Sequence, residues 1–254
     1  MTAGYTAREL MVAAAAREIR DGERVFVGMR LPILAFALAK RTHAPGAIGL
    51  FENGLVRDTS ADEMLFTMSD PPNVPGALWC TSTGNIMGLL EQGLVDLGFI
   101  GGAEVDRYGN LNTSYIGEPR RPRVKLPGSG GGADIASLAR RFVIIMPQET
   151  HRFVERVGYI TSPGHGDGPG WRERVGLPGG GPSALITTLG IFRFDERTRE
   201  ALLASYHPGQ SVDTVRAATG WRLRAAPDVH ETPAPSDGEL ALVRACDPRG
   251  FWTR

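Results

Sequence analysis

Residues 24–54 read RVFVGMRLPILAFALAKRTHAPGAIGLFENG, and the pattern of this stretch sets the fold class. The run RVFVGM over 24–29 is rich in β-branched and aromatic residues and reads as a strand. Pro32 then sits in the first turn of a helix carrying ILAFALAKR, where its missing N–H is harmless. A second short strand follows over 47–52, AIGLFE, and Asn53-Gly54 supplies a sharp turn, because this pair adopts positive φ readily. Strand, helix, strand within thirty residues is the unit from which parallel sheets are built.

The same alternation extends outward in both directions. Thr6-Ala7-Arg8-Glu9 has the spacing of a capping box and predicts a helix running to about Arg20, with Asp21-Gly22 closing it. Downstream, a helix is expected over 85–93 and a buried strand over 95–100, leading into Gly101-Gly102-Ala103. A helix over 134–141 and the apolar strand FVIIM over 142–146 come next, followed by strands over 184–188 and 191–194. Residues 195–199 read as a hairpin loop before a strand over 201–206, and Ser236-Asp237-Gly238-Glu239 forms a second capping box opening a last helix through Arg244. These signals predict an α/β fold: an open mixed, mostly parallel sheet with helices on both faces, occupying residues 1–254 as a single domain. The stretch 158–182 departs from the pattern, since nine glycines and four prolines leave it without periodicity.

Composition excludes several classes of function. The 28 basic and 28 acidic side chains cancel, which removes the electrostatic basis for binding nucleic acid or clamping to a membrane surface. No apolar run approaches the ~20 residues of a membrane-spanning helix. Arg8, Glu9, Arg17 and Glu18 interrupt the first apolar stretch and argue against a signal peptide. Two cysteines, Cys80 and Cys246, share no CxxC or Cys/His spacing, so neither a disulfide framework nor a metal site is expected, and a reducing cytoplasm fits best.

Ligands of open α/β sheets gather beyond the carboxyl ends of the strands, and two strand ends carry chemistry. Glu52 stands at one, with Asn53 and Gly54 behind it; a carboxylate already ionised at neutral pH attacks without needing a base, provided it is held close and partly desolvated. The plainer reading is a hairpin turn with an exposed glutamate. Gly101, Gly102 and Ala103 follow the other strand, where small residues let backbone N–H groups approach an oxyanion, or simply make a turn. Residues 128–132 could hold an anion but match no phosphate-loop pattern. Cys80 reads as a small buried thiol and His165 as a loop side chain, and there is no GxSxG elbow.

Several longer stretches carry a resemblance: YTARELMVAAAAREIRDGERVFVG over 5–28, LAKRTHAP over 38–45, FENG over 51–54, FIGGAEVDRYGNLNTSYIG over 99–117, LPGSGGGADIASLA over 126–139, YITSPGHGDGPGWRERVGLPGG over 159–180 and GIFRFDERT over 190–198. Together they resemble the class I CoA-transferases, in particular the B (beta) subunits of the glutaconate CoA-transferase kind. The resemblance implies an open α/β/α fold and a separate A (alpha) subunit that holds much of the coenzyme A. It implies that Glu52 is the family's nucleophilic glutamate, and that Gly102 and Ala103, beside Gly101, are backbone donors toward the thioester oxygen. It implies coenzyme A as a substrate, with no permanently bound cofactor and no metal. At one place the chain departs from the resemblance: the family commonly has Gly-x-Gly-Leu-Pro after the first strand, and here the run is Gly28-Met29-Arg30-Leu31-Pro32. Arg30 is a candidate for binding a substrate carboxylate or touching the partner subunit, or a surface arginine at a helix entry. The expected function is CoA transfer between an acyl-CoA and a carboxylic acid through a glutamyl-CoA thioester on Glu52. Two alternatives stand beside it, a C–C bond hydrolase or decarboxylase of CoA esters, whose members tend to lack the glutamate, and a non-catalytic partner subunit.

Overall fold

The computed structural model describes residues 4–254, which fall into two compact units, 4–99 with 234–254 and 100–233. The first unit begins with α1 (Ala7–Ala16), β1 (Arg24–Phe26), α2 (Leu31–Arg41), β2 (Ile48–Phe51) and β3 (Leu55–Arg57). A 3-10 turn at Pro71–Asn73 precedes β4 (Trp79–Cys80), α3 (Thr83–Glu91) and β5 (Leu97–Ile100), the last residue of which opens the second unit. The second unit holds β6 (Glu104–Val105), β7 (Leu111–Asn112), β8 (Tyr115–Glu118), β9 (Arg121–Lys125), α4 (Gly132–Leu138) and β10 (Arg141–Ile145). It continues with α5 (Trp171–Arg174), β11 (Pro182–Ile186), β12 (Gly190–Phe194), β13 (Ala201–Tyr206), α6 (Val212–Ala217) and β14 (Arg224–Glu231), after which α7 (Asp237–Cys246) returns to the first unit.

In the first unit β1 pairs in parallel with both β2 and β5, while β3 and β4 add as antiparallel strands, β3 by a hairpin from β2 and β4 after the long segment 58–78. In the second, β10 and β11 are parallel, β11 to β13 form an antiparallel meander, and β14 joins β13 in parallel. Each parallel pair has at least one helix between its strands along the chain, as chain geometry requires. The α/β class with a mixed sheet flanked by helices is therefore the observed one.

Local physics explains why α2 sits where it does. An added Cβ on Gly49 of β2 would lie 2.7 Å from the Phe36 ring, so glycine lets α2 press directly onto the strand. Phe36 meets Phe51 edge-on at 6.2 Å, and α1 and α7 pack against the same helix. Both capping boxes form: Thr6 Oγ1 accepts from Glu9 N at 3.1 Å while Glu9 receives the Thr6 N–H, and Ser236 and Glu239 repeat the exchange. α1 ends at Ala16, earlier than the expected Arg20, and residues 17 and 18 continue as turn.

Candidate active site

β1 and β2 run in parallel with Phe26 opposite Leu50, and the Val27 N–H donates to Leu50 O at 2.9 Å, so the loops leaving both strands emerge at one rim. From β1 comes Gly28-Met29-Arg30, and from β2 Glu52-Asn53-Gly54. Just behind the loops, Ile33 at the start of α2 and Phe51 at the end of β2 line one small cavity.

The turn is built differently from the simple Asn-Gly turn expected. Phe51 pairs with Leu55, leaving Glu52, Asn53 and Gly54 as a three-residue loop in which only Gly54 has positive φ, at 104°. Gly54 N donates to Phe51 O at 2.9 Å, and Thr81 N donates to Gly54 O at 2.7 Å. A Cβ on Gly54 would stand 2.1 Å from Thr81 O, so no other residue fits. Glu52 occupies the first loop position. Its side chain is half-buried, and among the described residues it forms no hydrogen bond or ion pair. Asn53 donates from Nδ2 to Met68 O at 2.9 Å, and Asn73 donates to the same oxygen at 2.7 Å. The Oδ1 atoms of both asparagines are buried without a partner among the described residues.

Arg57, at the end of β3, fixes the segment that follows. Its guanidinium is 3% exposed and donates to Thr59 O at 3.1 Å, Asn73 O at 2.5 Å and Pro75 O at 2.8 Å, and these acceptors are all backbone carbonyls. Nothing in the sequence marks Arg57, because backbone oxygens carry no residue signature.

Arg30 is exposed, and its backbone lies at φ 67°, ψ −121°, a conformation that glycine adopts readily and a side chain adopts under strain. Its guanidinium carbon lies 5.7 Å from the centre of the Trp252 ring, and among the described residues it has no ion pair.

Gly101, Gly102 and Ala103 belong to the second unit. The Ala103 N–H donates to Asn112 O at 3.1 Å. A Cβ on Gly102 would meet Leu111 Cδ2 at 2.8 Å, so the glycine is also required by packing.

The glycine-rich stretch over 158–182 is held by buried polar side chains, some within it and some outside it. Arg172, 5% exposed, donates to the carbonyls of Gly179 at 2.7 Å, Gly164 at 2.9 Å and Ala136 at 2.9 Å, and burial pushes its pKa down to about 10. Asn110 Oδ1 accepts from Gly164 N and Gly166 N at 2.9 and 3.0 Å. Asp106 accepts from the Tyr108 and Asn110 N–H groups and from Asn110 Nδ2, and burial nonetheless pushes its carboxyl pKa up. His165 is buried against Phe194, and burial, with Arg199 and Arg172 nearby, pushes its pKa down to about 4. These residues serve the loop's architecture. Cys80, expected buried, is exposed on β4, the edge strand that ends the first unit's sheet.

Residues 8–218 match the Coenzyme A transferase family. The chain is 39% identical to the beta subunit of 3-oxoadipate CoA-transferase from Pseudomonas knackmussii, over 96% of this chain and 94% of that protein. The crystal structure of glutaconate coenzyme A-transferase from Acidaminococcus fermentans superposes with a TM-score of 0.92 at 34% identity, covering 99% of this chain and 98% of that one. That of the decarboxylase AibA/AibB superposes at 0.83 and 29% identity, covering 97% of each chain. The chain belongs to the coenzyme A transferase family, as a class I beta subunit related to that of glutaconate CoA-transferase.

Proposed function

We propose that Glu52 is the nucleophile of a two-subunit CoA-transferase in which this chain is the beta subunit and acts with an alpha subunit. The observation that carries the reading is the Glu52 carboxylate, presented at the rim by a turn only glycine can complete and engaged by no donor among the described residues. Its carboxylate attacks the acyl-CoA carbonyl and gives a mixed anhydride with release of the CoA thiolate. The thiolate then attacks the glutamyl carbonyl, expelling the donor acid and leaving a glutamyl-CoA thioester. An acceptor carboxylate attacks that thioester, forms the second anhydride and frees the thiolate, which takes the new acyl group and restores the carboxylate. Every step exchanges one anion for another, so no proton transfer is required. Gly101 and Gly102 are the backbone groups that would meet the oxyanion. A carboxylate is a weak nucleophile in water, so the distant contacts of coenzyme A must offset its desolvation.

The acids are proposed to be dicarboxylic. The relatives named above act on 3-oxoadipate and glutaconate, and Arg30 puts a cation with no ion pair among the described residues at the rim that bears Glu52. The chain is proposed to act as one functional unit, since the family match crosses both compact units, and to work in the cytoplasm, in keeping with its two free thiols. Among the described residues no helix is long and apolar enough to cross a membrane.

Borohydride treatment of the assembled complex after incubation with an acyl-CoA, followed by peptide mass spectrometry, tests the proposal. Reduction is expected at Glu52, and Glu52→Gln is expected to lower kcat by more than about 10³-fold. Labelling at any other residue would remove the mechanism, and activity surviving Glu52→Ala would make the chain a non-catalytic partner. Turnover that cleaves or decarboxylates the CoA ester without labelling Glu52 would identify the hydrolase or decarboxylase chemistry instead.

A further inference from the structure

β8 and β9 form a two-stranded sheet of their own, joined by the turn at Pro119 and Arg120. Two-stranded ribbons are marginal by themselves in water, and this one is burdened further. Arg120, Arg121, Arg123 and Lys125 are all exposed, and none has a side-chain ion pair or hydrogen bond among the described residues. Glu118 is the single acid of the ribbon, in a chain whose net charge is zero. Four cations on a short ribbon repel one another, and one carboxylate offsets only part of that.

The root of the ribbon is tied to the glycine segment after β5 through one residue. Asn112 O accepts from Ala103 N at 3.1 Å, and Asn112 Nδ2 donates to Tyr115 O at 2.7 Å. Leu126 N and Gly128 N close the root on Ser114 O and Thr113 O, at 3.0 and 2.8 Å. Lys125 lies opposite Tyr115 at the root and Arg121 opposite Glu118 near the tip, so the cations are distributed over about 13 Å of strand. Coenzyme A carries the complementary charge, a diphosphate and a 3′-phosphate at the end away from its thioester.

We infer that the β8–β9 hairpin is a phosphate-gripping arm that takes the diphosphate and 3′-phosphate of coenzyme A. The inference rests on the reading above, in which the thioester oxygen meets the Gly101–Gly102 segment at the hairpin's root. Three of the four cations are arginines, whose planar fork matches phosphate oxygens. A protein partner fits less well, because Val124 is the arm's one large exposed apolar side chain, and the core of a protein interface needs more.

The test measures binding of free CoA, 3′-dephospho-CoA and pantetheine to the assembled complex, comparing wild type with the variant combining Arg120→Gln, Arg121→Gln, Arg123→Gln and Lys125→Gln. The variant is expected to lose at least tenfold in affinity for CoA and less for 3′-dephospho-CoA, while pantetheine, which lacks the phosphates, competes unchanged. Replacing the three arginines by lysine, which keeps the charge but not the fork, is expected to recover only part of the CoA affinity. A loss under threefold for CoA overturns the inference, as does an equal loss for CoA and pantetheine. Dissociation of the variant complex on gel filtration overturns it too, and assigns the arm to the partner subunit. Borohydride labelling separates the two levels: a labelled Glu52 with unchanged CoA affinity sinks the arm alone, whereas an unlabelled wild-type Glu52 sinks the reading beneath it.

Discussion

His165 is neutral in the fold because its surroundings oppose a proton: burial first, then the positive charges of Arg199 and Arg172. An unfolded histidine titrates near 6.5 and this one near 4, so between those values the unfolded chain takes up a proton that the folded chain refuses. Stability is complete above about pH 6.5 and declines as the pH falls toward 4, by up to ~3 kcal/mol from this residue. His207, buried and pushed down by the same cause, adds in the same direction. Urea unfolding of wild type and His165→Gln at pH 7 and pH 4.5 checks this, and the variant is expected to show the smaller acid loss. Arg30 supports a second expectation at this scale. Its backbone strain of ~1–3 kcal/mol exceeds the entropy that glycine adds to the unfolded chain, ~0.5–1 kcal/mol, and its contact with Trp252 is a modest one. Arg30→Gly is therefore expected to stabilise the protein by about 1 kcal/mol in denaturant titration, while Arg30→Ala, which keeps the Cβ, does not. The turn that carries Glu52 was legible in the sequence because Asn-Gly after an apolar strand is a local pattern, whereas the role proposed for its carboxylate came from the resemblance alone. The bond from the Ala103 N–H to Asn112 O was not legible, because that acceptor lies nine residues away on β7.

Two long coverings, residues 58–75 and 158–182, are each pinned by one buried guanidinium, Arg57 in the first unit and Arg172 in the second. A lysine carries the charge but not the fork, and it would leave several buried carbonyls without a donor. Arg172→Lys is expected to cost at least ~2 kcal/mol and to open 158–182 to limited proteolysis; an unchanged cleavage pattern would count against the clamp. The elements that the sequence announced are those with local signals: capping boxes at α1 and α7, and apolar runs at β5 and β10. β6 and β7 are two residues each, and β8, β9 and β14 are largely exposed, with prolines in β9 and β14, so no alternation marks them. Cys80 was misread as buried because Trp79-Cys80 looks apolar, whereas an edge strand exposes such a pair.

For the molecule as a whole, zero net charge conceals a strongly uneven distribution, with the cations of the β8–β9 arm balanced elsewhere along the chain. The fold class and family were legible because long motifs survive across the chain, while the arm was not, because YIGEPRRPRVK reads as a polar, proline-containing loop. The chain alone lacks the alpha subunit, so acyl-CoA with borohydride is expected to leave Glu52 of the isolated chain unmodified and to modify it once the partner is added. Mass spectrometry of the two samples makes the comparison, and labelling of the lone chain would contradict it. The guanidinium pins at Arg57 and Arg172 carry one more implication. Their acceptors are peptide oxygens, which no physiological acidity can neutralise, so these particular contacts persist at pH values where a carboxylate latch would let go.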